Sequence, residues 1–189
     1  HPNDHIYLRT GNTAELVGLI EAGGIDLALV EGSFDRELFE SEVRSREPFV
    51  AIAAAGERPA SITDLLARRL VLREPGSGTR KRAEEFLRSL AARELSIGDF
   101  AGSIEIASIP TIKACVAAGA GVSFLYRVAV ERELATGTLA DVTPEDFAVW
   151  HDFALIWQRD SRYGARYRAL LREWQTAAHY LGTFCDTLK

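Results

Sequence analysis

The stretch whose residue types and spacing could do chemistry is Arg73-Glu74-Pro75-Gly76-Ser77-Gly78-Thr79-Arg80. Gly76 and Gly78 let the backbone turn tightly and approach a ligand, while the hydroxyls of Ser77 and Thr79 can cap a helix or donate to an acceptor. A short apolar run, Leu70-Val71-Leu72, precedes the turn and reads as a buried strand. Ala83 to Ala92 follows it, with Phe86, Leu87 and Leu90 at helical spacing. A strand, a glycine turn and a helix in that order aim the unpaired N–H groups of a helix start into the space above the strand end. Such a start carries about half a positive charge and suits an anion or an acceptor oxygen. The turn lacks the Gly-Lys-Ser/Thr ending of a Walker-type nucleotide loop, and Lys81 stands where G-x-G-x-x-G needs its third glycine. Arg80, Lys81 and Arg82 oppose the helix dipole, which points to an anion or a partner. Glu84 and Glu85, four residues on from Arg80 and Lys81, could equally neutralise these cations in solvent.

No catalytic constellation accompanies this turn. The sequence has no G-x-S-x-G elbow, no H-E-x-x-H and no C-x-x-C. His1, His5, His151 and His179 do not cluster along the chain, and Glu84 and Glu85 are adjacent on a helix and face apart. Neither a metal site nor a cofactor is expected, and the chain does not read as an enzyme.

The elements that position the turn follow from periodicity and punctuation. Ile6 to Arg9 reads as a strand, and Gly11-Asn12-Thr13 starts a helix through Ala22 with Leu16, Val17 and Ile20 on its apolar face. Leu27 to Val30 reads as a second buried strand, parallel to the first, ending at Glu31-Gly32 where open parallel sheets place their ligands. Gly32 to Glu47 is polar and reads as a connection with a short helical turn. Phe49 to Ala54 reads as a strand, and Ser61 to Asp64 as a capping box opening a short helix to Ala67. Ser103 to Ile106 is an alternating strand. Ser108-Ile109-Pro110-Thr111 starts a helix to Ala118, with Gly119-Ala120-Gly121 as its stop. Val122 to Leu125 is a strand, Val128 to Ala135 a helix, Leu139 to Val142 and Phe153 to Trp157 strands. A last helix over Gly164 to Leu181 carries Tyr167, Leu170, Leu171, Trp174, Ala178 and Leu181 as a core stripe.

Composition narrows the function classes. A chain of 189 residues, 47% hydrophobic and 26% charged, can bury a sizeable core. Its net charge of -5 argues against broad nucleic-acid binding, which needs a clustered basic surface. No apolar run approaches the roughly 20 residues of a membrane span, and His1 to His5 has no signal-peptide character. Cys115 falls in an apolar helix, so Cys115 and Cys185 read as free thiols of a reducing compartment. The absence of Met, including at position 1, marks the chain as a fragment or processed product.

The ordered blocks resemble the effector-binding (substrate-binding) domain of LysR-type transcriptional regulators. The matching stretches are Gly24 to Gly32, Arg73 to Arg80, Ile112 to Val122 and Glu133 to Leu139. The Asp26-to-Gly32 and Glu74-to-Arg80 forms look most like the branch governing sulfur assimilation and carbon fixation genes. The resemblance implies an α/β, two-lobed fold like type II periplasmic binding proteins. Each lobe would be a mainly parallel sheet flanked by helices, joined by two crossing strands near Phe49 to Ala54 and Phe153 to Trp157. Lobe I would comprise residues 1–52 and 154–189, and lobe II residues 53–153. The family's first strand and helix have no counterpart ahead of His1 to Arg9. A small, anionic effector is expected in the interlobe cleft. Position by position it would touch Asn12 and Thr13, Glu31, then Ser77, Gly78 and Thr79, with Ser108 and Pro110. Dimers, and tetramers of the intact protein, are implied in the cytoplasm. DNA would be bound only through an N-terminal helix-turn-helix that this chain does not contain. A periplasmic solute-binding protein of the same fold is the alternative.

Overall fold

Asn12 opens the first regular element by local chemistry alone. Its side chain accepts from the Glu15 N–H and the Glu15 side chain accepts from the Asn12 N–H, a reciprocal capping box that starts α1 (Thr13–Glu21). The computed structural model describes residues 5–31, 34–58, 61–89, 95–145 and 149–174. Within them follow β1 (Leu27–Val30), β2 (Phe39–Ala54), α2 (Ile62–Leu66), β3 (Arg69–Leu72), α3 (Gly78–Ser89) and a 3₁₀ turn (Ile97–Asp99). Then come β4 (Gly102–Glu105), α4 (Ile109–Ala117), β5 (Ser123–Tyr126), α5 (Arg127–Ala135), β6 (Leu139–Asp141), β7 (Val149–Gln158) and α6 over 164–174. Ser61 caps α2 and Ser108 caps α4, each accepting the backbone N–H three residues on.

The spine is the antiparallel ladder of β2 and β7, running from Phe39 opposite Gln158 to Phe49 opposite Val149, with a register shift between Val43 and Ser45. β7 also pairs with β1, and the far end of β2 pairs first with β5 and then with β6, all antiparallel. β3 and β4 form a parallel pair, and Leu70 bridges Val122 in the same sense.

Three sequence expectations change here. Gly32 to Glu47 is not a connection, because β2 begins at Phe39; its polar side chains stay half-exposed, and the strand is held by ladder bonds to β7 rather than by an apolar face. Ile6 to Arg9 forms no strand: alternation needs a neighbouring strand to satisfy the backbone, none pairs with it among the described residues, and Ile6 and Leu8 lie exposed. Leu27 to Val30 therefore pairs antiparallel with β7 instead of parallel with that segment. Among the described residues, parallel pairing is confined to β3, β4 and the Val122 bridge, and the larger, five-stranded sheet is antiparallel.

Buried apolar residues collect at the two ends of the β2–β7 ladder. At one end Ile20, Ala28, Val30, Phe39 and Ile156 pack together, with Trp157, Tyr167 and Leu171 alongside. At the other, Phe49 lies 5.1 Å from the Tyr126 ring and stacks on Phe124, while Ile52, Ile112, Val116 and Leu125 fill the opposite sheet face. Burying a side chain of Phe49's size stabilises by about 1.5–3 kcal/mol. Tyr167 and Leu171 are buried as the α6 stripe requires, but Trp174 is 43% exposed and lies outside that core; Ala178 and Leu181 lie outside the described residues, as does Cys185.

Candidate functional site

The glycine turn sits where the sequence places it, between β3 and α3, and it folds back onto the start of α1. Ser77 N–H closes the turn on the Glu74 carbonyl at 3.2 Å. Gly76 is left-handed (φ +89°), and a Cβ there would lie 3.3 Å from Asn12 Oδ1, so only glycine allows both the turn and this close approach. The Gly76 carbonyl accepts from the Ala14 N–H at 3.4 Å, and Asn12 Nδ2 donates to Glu74 Oε1 at 3.2 Å. The starts of α1 and α3 are thereby held side by side.

Glu31, at the end of β1, reaches the start of α3 from the other side. Its Oε1 accepts the Thr79 N–H at 3.2 Å and the Thr79 hydroxyl as well. Burial raises the Glu31 carboxyl above its ordinary range, against the opposing pull of the Thr79 hydrogen bonds and of Arg73. Neither Arg73 nor Arg80 is an ion-pair partner of Glu31. Arg73 pairs with Glu74 at 2.8 Å and holds that carboxyl below its ordinary range. Arg80 pairs with Glu84 at 2.9 Å and Glu105 at 2.6 Å. Arg82 pairs with Glu85 at 2.6 Å, so these first-turn cations are compensated by the chain's own carboxylates.

Between the two helix starts lies a cavity of about 590 Å³. Thr13, Ala14 and Val17 line it from α1, Gly76 to Gly78 from the turn, and Arg80, Lys81, Glu84 and Arg88 from α3. Ser77 is 2% exposed, and its Oγ has no hydrogen-bond partner among the described residues. A buried hydroxyl without a partner costs about 1–3 kcal/mol, and the Ser77 Oγ, closed to solvent, is not a donor open to the cavity. Of the residues predicted from sequence, Thr13, Ser77 and Gly78 line the cavity. Asn12, Glu31 and Thr79 brace its rim. Ser108 and Pro110 are exposed at the start of α4 and do not line it.

Sequence reasoning missed Phe34 and Asp35, which close the cavity from the segment before β2, because it read that stretch as a polar connection with a short helical turn and gave it no part in the site. It also missed a polar cluster behind Glu31. The Tyr126 hydroxyl donates to the Glu31 carbonyl at 3.3 Å, and the Tyr126 ring stacks on His151. His151 Nε2 lies 3.2 Å from an Arg82 guanidinium nitrogen. Burial first, and the Arg82 charge second, hold His151 below its ordinary value. Only proximity in space reveals this cluster, since its members come from β1, α3, β5 and β7. Among the described residues, no group of three or more His, Cys, Asp and Glu could hold a metal ion, and no helix is long and apolar enough to cross a membrane.

Two long paired strands join the two ends of the molecule, and a cavity lies between two neighbouring helix starts. The family model for the LysR substrate binding domain matches residues 1–178, and the chain belongs to that family, the ligand-sensing part of transcriptional regulators and not an enzyme. Its fold is the two-lobed, type II periplasmic-binding-protein-like one. The regulatory domain of Synechocystis PCC6803 CcmR, solved in complex with 2-PG, superposes with a TM-score of 0.77 at 21% identity, covering 94% of this chain and 85% of that one. The HTH-type transcriptional regulator CbbR of Sinorhizobium medicae is 34% identical over 144 residues, 73% of this chain and 44% of CbbR. A protein of Anaeromyxobacter dehalogenans named phosphonates import ATP-binding protein PhnC is 32% identical over 161 residues, 82% of this chain and 32% of that protein. This chain has no Walker-type loop, so its own residues give no support to an ATP-binding reading. The chain spans less than half the length of either curated relative.

Proposed function

We propose that this domain binds a small, anionic effector in the cavity between α1 and α3 and passes that occupancy to a transcriptional regulator of which it is one part. The observation that carries the reading is the cavity itself: the start of α3 at Gly78, with Lys81 and Arg88, lines it beside Thr13 and Ala14 at the start of α1. Each helix start favours negative charge by about 0.3–1 kcal/mol, more where partly buried. The complex of CcmR with 2-PG supports a small ligand as the class, though likeness at 21% identity carries the fold alone.

In the longer regulator, lobes of residues 1–52 with 154–189 and of 53–153 close on the effector. The apolar clusters at the two ends of the β2–β7 ladder support two lobes, although Phe49 to Ile52 pack with the 53–153 side and not with residues 1–48. Closure changes how paired domains in a dimer or tetramer hold DNA-binding arms. The shift is limited by the effector's differential affinity for open and closed forms. The protein acts in the cytoplasm, as the CbbR relative's description as an HTH-type transcriptional regulator supports. A thermal-shift and calorimetric panel of small carboxylates, phosphate and sulfate at low salt tests the reading. At least one anion should bind with one-to-one stoichiometry and raise the melting temperature; a panel in which only cations or neutral ligands bind would refute it.

A further inference from the structure

The walls of the cavity differ in chemistry. On α1, Ala14 and Val17 stand about one turn apart, and Phe34 and Pro75 extend the apolar wall that they begin. Phe34 is held in place, edge-on to Phe39 with ring centroids 6.5 Å apart and with the Arg36 guanidinium 5.7 Å from its own centroid. On α3, Lys81, Glu84 and Arg88 follow one another at spacings of three and four, so they share one face. Glu84 is taken by Arg80, which also holds Glu105, whereas Lys81 and Arg88 form no ion pair among the described residues. Asp35 forms none there either; the Glu37 N–H, donating to its Oδ1 at 2.7 Å, holds it on the wall. A volume of about 590 Å³ lies within the roughly 300–1,000 Å³ of sites that enclose organic ligands, and a phosphate or sulfate ion would leave most of it to water.

We propose that the cavity takes an organic anion with one charged head and an apolar body: the head meets Lys81 and Arg88, the body lies against Val17, Phe34 and Pro75, and Asp35 turns away a second negative charge. Only a ligand with an apolar body covers that wall and gains from its burial; an inorganic anion covers none of it. A second carboxylate on the ligand would meet Asp35, whose charge no cation offsets among the described residues. This rests on the effector reading above and adds the chemical class of the effector and the residues that select it.

The test is calorimetry of the 189-residue chain at pH 7.5 and low salt, with acetate, butanoate, hexanoate, hexanamide, hexanedioate and inorganic phosphate as probes. From acetate to hexanoate the affinity should rise about two- to fourfold per methylene, the scale of burying one CH₂ group. Hexanoate should then bind at least about tenfold more tightly than phosphate. Hexanamide, the same body without the charge, should bind about tenfold more weakly than hexanoate, and Lys81→Gln should bring hexanoate down toward it. Hexanedioate should bind more weakly than hexanoate. Asp35→Asn, which keeps an oxygen to accept from Glu37, should narrow that gap about threefold. Phosphate binding as tightly as hexanoate, with no gain along the carboxylate series, overturns the proposal and leaves the anionic effector reading intact. Hexanamide binding as tightly as hexanoate overturns the charged head, and the anionic reading with it. Hexanedioate matching hexanoate in wild type and Asp35→Asn alike, hexanoate affinity unchanged by both Lys81→Gln and Arg88→Gln, or no binding of hexanoate at all would each overturn the proposal too.

Discussion

His151 shows how single side chains at this site report on pH. It accepts from Arg82 only while neutral, and burial plus the Arg82 charge depress its pKa below the ordinary 6.5. In the unfolded chain His151 takes up a proton below about pH 6.5, while in the folded chain it resists until lower pH. The stability it contributes is therefore complete above that value and is lost as pH falls through the folded pKa. Glu31 runs the other way: its carboxyl is raised by burial, so its contribution is present at acid pH and is lost as pH rises through the folded value. Urea unfolding at pH 7.5 and 5.5 separates the two. Wild type should lose more stability between these pH values than His151→Gln does, and an identical loss in both would place the titration elsewhere. The hydroxyls of Ser77 and Thr79 were legible as donors from residue type and spacing. That Thr79 meets Glu31 was not, because the contact joins two segments with no periodicity in common.

At the scale of elements, what local chemistry decides was readable and what pairing decides was not. The starts of α1, α2 and α4 carry Asn12, Ser61 and Ser108 as caps, and each caps its helix. α3 starts at Gly78, five residues before the apolar spacing begins at Ala83, because its first turn is held by ion pairs and by the Glu31 bonds to the buried Thr79 and not by an apolar stripe. β2 was half missed for a related reason. Phe39 to Pro48 contains Glu, Ser and Arg on both faces, and nothing in its own composition announces β7 as the partner. Asn12 tests the coupling of cap and cavity. Replacing it with Ala removes the α1 capping box and the bond to Glu74, and should destabilise the chain by about 0.5–2 kcal/mol in urea unfolding. A loss under a few tenths would mean that Gly76 and water satisfy the α1 start without it.

For the whole molecule, ligand sensing is the role proposed for this chain, and DNA reading that of another part of the longer regulator. The net charge is -5, and the basic residues Arg80 and Arg82 are bound to Glu84, Glu105 and Glu85. Phosphate neutralisation dominates non-specific DNA binding, so the chain alone should not retain a duplex even at about 50 mM salt in an electrophoretic shift assay. Sequence-specific retention would move DNA reading into this domain. The central claim is the cavity between α1 and α3, and a backbone amide map of the chain titrated with the tightest anion of the panel tests it most directly. The amides of Thr13, Ala14, Gly76, Ser77 and Gly78 should shift together with one affinity, while those of Ser108 and Thr111, which lie off the cavity, stay fixed. Shifts centred on the start of α4, with Ser77 and Gly78 unmoved, would contradict it.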